Sequence, residues 1–216
     1  MVYNSVTGGY IQIKTTGVKM LKKILEFSWA YELAQNIIGA RRLRRFYIND
    51  IVRPSPGISI LDVGCGPGVM VPYLKGVKYY GIDINPRYIE KAAKKYVSAD
   101  VSFKCADVSE IGKLEGLKYD IVMMNGVLHH LDDPQADACM AAIKNLLKPG
   151  GRFTSFDGVY YGGISAAEKF VLDHDRGKFV RTPEQYASII RKHLPEARYA
   201  VKKWMTNIPN PLIFFY

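Results

Sequence analysis

The sequence predicts an α/β fold: a mostly parallel sheet with helices on both faces and an antiparallel C-terminal strand pair. Three observations carry this. Short, continuously apolar runs alternate with helical segments between residues 58 and 156, as strands buried on both faces do. A glycine-rich turn, Gly64-Cys65-Gly66-Pro67-Gly68, follows the first run, where an open parallel sheet carries its ligand loop. The tail ends in two runs, Tyr199–Met205 and Leu212–Tyr216, with too little chain between them for a crossover helix.

Each element has its own signal. Residues 1–19 read as polar and extended, and Met20-Leu21-Lys22-Lys23 looks like a natural start, so this stretch is expected to be a leader or a flexible arm. Residues 20–53 form a helical segment, with Leu21, Ile24, Leu25 and Trp29, then Leu33, Ile37 and Ile38, at helical steps. Pro54-Ser55-Pro56-Gly57 breaks the chain, and residues 54–216 make the main domain. Strands are expected over 58–63, 79–82, 101–105, 119–124 and 152–156. Helices are expected over 67–75, 86–97, 134–147 and 182–193. Proline near the start of the second and third of these is a helix-opening signal.

Composition narrows the class. Apolar residues are 48% and charged residues 23% of 216, ordinary for one soluble globular domain. No apolar run is long enough to span a bilayer, and Met1–Tyr10 is no secretory signal. Three cysteines without a C-x-x-C spacing argue against a disulfide frame or a zinc site and for a reducing cytoplasm. The net charge of +10 is uneven: nine Lys/Arg against three Asp/Glu in 1–53, twelve against thirteen in 54–168, and nine against four in 169–216. The basic ends would suit an anionic small molecule, nucleic acid or a lipid surface. They would equally suit a solvated surface.

The chemistry-bearing residues cluster at strand ends. Asp62 and the Gly64, Gly66 and Gly68 loop end the first strand. Glycine there permits a sharp turn and close ligand approach. The third glycine comes one place too early for G-x-G-x-x-G, which argues against a nicotinamide-dependent oxidoreductase. Asp83 ends the second strand, where a carboxylate can accept both hydroxyls of a ribose. Cys105-Ala106-Asp107-Val108 ends the third. Asn125-Gly126-Val127-Leu128-His129-His130-Leu131 ends the fourth. Leu147-Lys148-Pro149-Gly150-Gly151-Arg152-Phe153 leads into the fifth.

Together, in this order, these five segments resemble the class I S-adenosylmethionine (SAM)-dependent methyltransferases, in particular the type 11-like branch acting on small molecules and lipids. The resemblance implies a Rossmann-like, seven-stranded class I methyltransferase fold. It implies that Asp62 and the loop of Gly64, Cys65, Gly66 and Gly68 hold the methionine part of SAM. Asp83 would take the ribose, with Ile84 beside the adenine. Asp107 and Val108 would meet the adenine edge, and Asn125 the amino end. Residues 20–53 would cap the cofactor, with Tyr31 and Gln35 as its polar contacts. The product would be S-adenosylhomocysteine (SAH).

The expected acceptor is a small or lipid-like molecule, anionic if the basic residues serve it. Methyl transfer needs alignment and exclusion of water more than covalent help. A neutral histidine suits removal of an acceptor proton, with His130 first and His129 second. Their bland role is to shape the loop. His129, His130, Asp132 and Asp133 could suggest a metal, but Asp132-Asp133-Pro134 more simply caps a helix, and no metal is expected. Tyr160, Tyr161, Arg176 and Arg181 follow the fifth strand and are candidate acceptor contacts. A nucleic-acid methyltransferase is the competing reading. The sequence Asn125-Gly126-Val127-Leu128 lacks the Pro-Pro-aromatic pattern of base-amino methylating enzymes, and aromatics interleaved with Arg41, Arg42, Arg44 and Arg45 are few. A SAM-binding protein without catalysis is a further alternative.

Overall fold

The computed structural model describes residues 39–114 and 116–216. Seven strands form one sheet: β1 (Ser59–Val63), β2 (Lys78–Asp83), β3 (Val101–Cys105), β4 (Tyr119–Asn125), β5 (Leu147–Gly158), β6 (Tyr199–Lys202) and β7 (Leu212–Phe215). Their order is β3-β2-β1-β4-β5-β7-β6. The first five run parallel, and β7 pairs antiparallel with both β5 and β6. The helices are α1 (Ala40–Phe46), α2 (Pro86–Tyr96), α3 (Asp133–Leu146), α4 (Ala166–Asp173) and α5 (Pro183–Arg191).

The apolar runs are strands because both sheet faces are covered. Leu61, Val63, Val122 and Met124 face a core shared with α3 and α5. Their chain neighbours Ile60, Ile121 and Met123 face a second core with Leu43, Tyr47, Ile48 and Met70. Alternate residues thus point to opposite faces, and neither face is polar. Full burial of one such side chain contributes roughly 1.5–3 kcal/mol. Tyr47 reaches the sheet from a π-helical turn that continues α1, and its hydroxyl meets Thr154 Oγ1 at 2.7 Å. No helix among the described residues is long and apolar enough to cross a membrane.

Several elements differ from the sequence expectation. The helix expected over 67–75 is a run of turns with one 3-10 turn, Val71–Tyr73. Gly66 and Gly68 hold φ of 55° and 73°, outside the right-handed helical region, and Pro72 has no N–H to donate. The strand expected to reach Met205 stops at Lys202, and Trp204 at φ 59° turns the chain away. Helix α4 was not anticipated. Its start is a Ser165–Glu168 capping box, a sequence pattern that marks helix starts. The β5 ladder begins early, at Leu147 opposite Tyr119, slips, and resumes at Arg152 opposite Ile121. Tyr31, Gln35, the 1–19 arm and most of the 20–53 cap lie outside the described residues.

Asp120 locks the amino-terminal ends of three parallel strands. Its Oδ2 accepts from the Ser59 backbone N–H at 2.7 Å, the Ser59 hydroxyl at 2.8 Å and Lys148 Nζ at 2.7 Å. The Lys148 ammonium, then the Ser59 donors, hold this carboxyl down to about 2. A depressed folded pKa means the stabilisation is present above the unfolded value of about 4 and is lost as pH falls toward 2. Asp120→Ala is expected to cost about 1–2 kcal/mol at neutral pH. Urea denaturation should show the gap to wild type closing as pH drops below about 4.

Candidate active site

The strand order reverses between β1 and β4, and in open α/β sheets the ligand crevice lies beyond the strand ends there. Two cavities occupy this place. One, of about 470 Å³, is lined by Asp83, Ile84, Asp107, Val108, Asn125 and His130 among others. The other, of about 320 Å³, is lined by Leu43, Met70, His129, Phe156, Asp157 and Leu172 among others. Gly64, Gly66, Pro67, Asn125 and Gly126 line both. The glycine loop and the start of the β4 loop are therefore a common wall.

The wall depends on backbone that only glycine tolerates. Gly64 has φ 74°, and a Cβ there would sit 2.3 Å from Val127 Cγ2. Asp83 fixes the same loop: its Oδ2 accepts from Gly66 N–H and its Oδ1 from Asn85 N–H, both at 2.8 Å. Each oxygen keeps a further lone pair for a ligand hydroxyl. Ile84 is 65% exposed on the rim, an apolar surface a flat ring would cover. Asp107 accepts from Ser109 N–H at 2.8 Å, and that bond holds its carboxyl below the usual range. Asp62 is buried and accepts from the Tyr79 hydroxyl at 2.7 Å. Burial pushes its carboxyl up to about 7, and a ligand ammonium beside it would restore the ionised form. Cys65 contributes its place in the loop. Its thiol is buried, and a Cβ on Gly81 would sit 2.8 Å from its Sγ. The pieces fit SAM: a carboxylate for an amine, one for a ribose, and a polar edge beside an apolar slot.

The histidine pair divides. His129 is buried, its Nδ1 is 2.7 Å from Asp157 Oδ1, and its Nε2 is 3.2 Å from Asp175 Oδ1. Burial opposes its charge, but the bonds to Asp157 and Asp175 outweigh burial and hold the imidazole up to about 9. Both ring nitrogens of His129 are engaged by carboxylates, a geometry that disfavours it as the proton acceptor expected from the sequence. His130 is exposed and packs against His129 with ring centroids 4.2 Å apart and planes tilted by 41°. Burial of its inner side and the His129 charge lower its pKa. It lines the cofactor-sized cavity and not the second one.

The acceptor contacts expected after β5 lie outside the linings of both cavities. Arg181 is buried, and its guanidinium donates to Asp133, Leu128 O, Leu131 O and Phe179 O. All five N–H groups are spent on the protein, so it braces the β4 loop. Tyr160 donates to Asp173 and Tyr161 to Glu168, and neither lines either cavity. Arg176 is exposed and likewise lines neither. Asp132 caps α3 by accepting from Gln135 N–H. Among the described residues no group of three His, Cys, Asp or Glu side chains is placed to hold a metal ion. Sequence reasoning missed Asp157, whereas the stretch Asp173-His174-Asp175-Arg176 was a candidate for the acceptor mouth, and its Asp175 lines the second cavity. Asp157 had a readable signal, a lone carboxylate at the carboxyl end of a parallel strand, as Asp83 is.

Comparison with known proteins agrees with this geometry. A family model described as a methyltransferase domain matches residues 60–151. The ubiquinone biosynthesis O-methyltransferase of Acinetobacter baylyi is 30% identical over 190 residues, covering 81% of this chain and 76% of that protein. The cyclopropane-fatty-acyl-phospholipid synthase of Escherichia coli is 25% identical over 62% of this chain, which spans only 35% of the synthase. The crystal structure of human N-acetylserotonin methyltransferase in complex with SAM superposes with a TM-score of 0.61 at 19% identity, over 94% of this chain and 58% of that one; this likeness is one of fold.

Asp83→Ala is expected to weaken SAM binding at least tenfold, since it removes both the ribose acceptor and the Gly66 anchor. Calorimetric titration checks this, with the melting temperature as control for the fold.

Proposed function

The chain belongs to the class I SAM-dependent methyltransferases, and on that premise we propose that its acceptor is a small, lipid-like molecule with an apolar body and a polar end, held in the second cavity. The observation that carries this is the wall the two cavities share. A ligand of the second cavity would meet the cofactor at Gly64–Pro67 and Asn125–Gly126. Leu43, Met70, Phe156, Leu172 and Leu212 suit an apolar body. The names of the Acinetobacter and Escherichia relatives, one in ubiquinone biosynthesis and one a fatty-acyl-phospholipid synthase, agree with such an acceptor.

In this reading Asp62 and the Gly64–Gly68 backbone hold the amino-acid end of SAM, with the Asn125 backbone beside them. Asp83 holds the ribose. Ile84, Asp107 and Val108 hold the adenine. SAM, when bound, supplies a methyl group on a sulfonium that is already electrophilic. The protein's work is to align the acceptor with that methyl and to exclude water. The second cavity carries both signs, with Asp62, Asp157 and Asp175 set against Arg44 and His129 in its lining, so its charge does not by itself choose an anionic acceptor. The basic stretch in α1 is partly spent: Arg42 donates to the carbonyls of Trp204, Met205 and Thr206. That leaves less of it for nucleic acid. Three free cysteines suit the cytoplasm.

The test is transfer of label from radiolabelled SAM into a cell extract, separated afterwards into nucleic-acid, lipid and water-soluble fractions, with Asp83→Ala as control. Label is expected in the lipid or small-molecule fraction and absent with the variant. Label confined to nucleic acid would contradict the reading.

A further inference from the structure

Among the groups lining the second cavity, one carboxylate has a use that neither cofactor binding nor packing explains. Asp157 ends β5 and is 2% exposed. Its Oδ1 faces His129, 2.7 Å from the ring Nδ1 and 3.3 Å from the backbone N–H that donates to it. Its Oδ2 is buried and has no hydrogen-bond partner among the described residues. Leaving a buried carboxylate oxygen without a donor is costly. A second acceptor in the same lining, Asn210 Oδ1, is buried and unpartnered too. Asn125 Oδ1 and Nδ2, in the wall shared with the cofactor cavity, are unpartnered as well, and of these groups Asp157 Oδ2 alone is a carboxylate oxygen, the strongest acceptor for a ligand donor.

We infer that Asp157 binds a hydroxyl group of the acceptor and takes its proton as the methyl group is transferred, so that the product is a methyl ether. This rests on the function proposed above and names the reacting atom. Charge selects a hydroxyl over an ammonium. His129 is set against the buried Asp157, while its other carboxylate partner, Asp175, is 41% exposed and screened by solvent, so Asp157 Oδ2 takes a neutral donor and not a counter-ion. The step balances: the acceptor oxygen forms a bond to the methyl carbon, and the carbon–sulfur bond breaks with its electron pair going to sulfur. The hydroxyl proton passes to Asp157 and then to solvent. Burial raises the Asp157 carboxyl above its ordinary range, which makes it a stronger base than an exposed carboxylate. His129 acts through Asp157 and is a positioning residue.

The test has two arms. In the first, calorimetry compares 4-heptylphenol with 4-heptylbenzoate as probes of the SAH-bound protein. The phenol should bind more tightly, and Asp157→Asn, with SAH affinity intact, should weaken the phenol about tenfold by replacing a charge-assisted bond with a neutral one. In the second, the labelled product from the cell extract is treated with hot hydroiodic acid. An ether releases its label as volatile methyl iodide. Tighter binding of the benzoate, no phenol binding, or unchanged phenol affinity in the variant would overturn the inference. So would label that stays on nitrogen or carbon. If the variant does not fold, the phenol–benzoate contrast and the product chemistry in wild type still decide. Because label transfer itself tests the broader function, the inference can fail while that reading stands.

Discussion

One buried histidine, held between two carboxylates, organises the active face of this protein. His129 stands between Asp157 at the end of β5 and Asp175 in the segment after α4, bonded to both. Three walls of the second cavity meet on this ring. The segment after α4 is pinned to it twice more. Phe179 N–H donates to His129 O at 2.9 Å, and Gly177 lies so close that a Cβ there would be 1.8 Å from the imidazole Cδ2. Arg181 holds the carbonyls of Leu128 and Leu131 on either side of the histidine pair. Removing the imidazole would leave Asp157 buried and unpaired, a change that typically costs about 3–5 kcal/mol. Its linkage has a definite sign. A folded pKa raised to about 9 means the stabilisation is complete below the unfolded value of about 6.5 and fades as pH rises through 9.

The sheet supplies what this cluster needs, a rigid place to stand. Parallel strands buried on both faces put their carboxyl ends on one edge, and the reversal of order between β1 and β4 opens a crevice there. Asp62, Asp83, Asn125 and Asp157 all sit at or near those strand ends. The glycine loop divides the crevice into two cavities and belongs to both. Asp83, by accepting from the Gly66 amide, keeps the cofactor wall and the acceptor wall in register with one another.

Much of this was legible in the sequence, for reasons that differ from residue to residue. Ile58–Val63 and Tyr119–Met124 read as strands because burial on both faces leaves them short, mostly apolar runs with few polar positions. Asp83 was singled out because a carboxylate at that strand end can accept both hydroxyls of a ribose, and Asp107 because its segment resembles the family's; the backbone N–H bonds each also accepts were not legible. The helix after the glycine loop was misread because apolar spacing in Pro67–Lys75 says nothing of the left-handed φ that Gly66 and Gly68 adopt. The ion-pair and hydrogen-bond partners of His129, Arg181 and Tyr160 were not legible, for a common reason. Their partners Asp175, Asp133 and Asp173 are 46, 48 and 13 residues away, and pairing across such distances is a product of folding. A titratable side chain near a site looks like a catalyst until its partners are known.

The protonation of His129 is the property on which the acceptor cavity turns, and nitrogen NMR of selectively labelled histidine reads it directly. Both ring nitrogens of His129 should show imidazolium shifts from pH 6 to 8 and titrate near 9, while His130 titrates below the ordinary histidine value. A neutral tautomer of His129 at pH 7 would contradict the bridge between Asp157 and Asp175 and, with it, the choice of a neutral hydroxyl as the group that Asp157 receives.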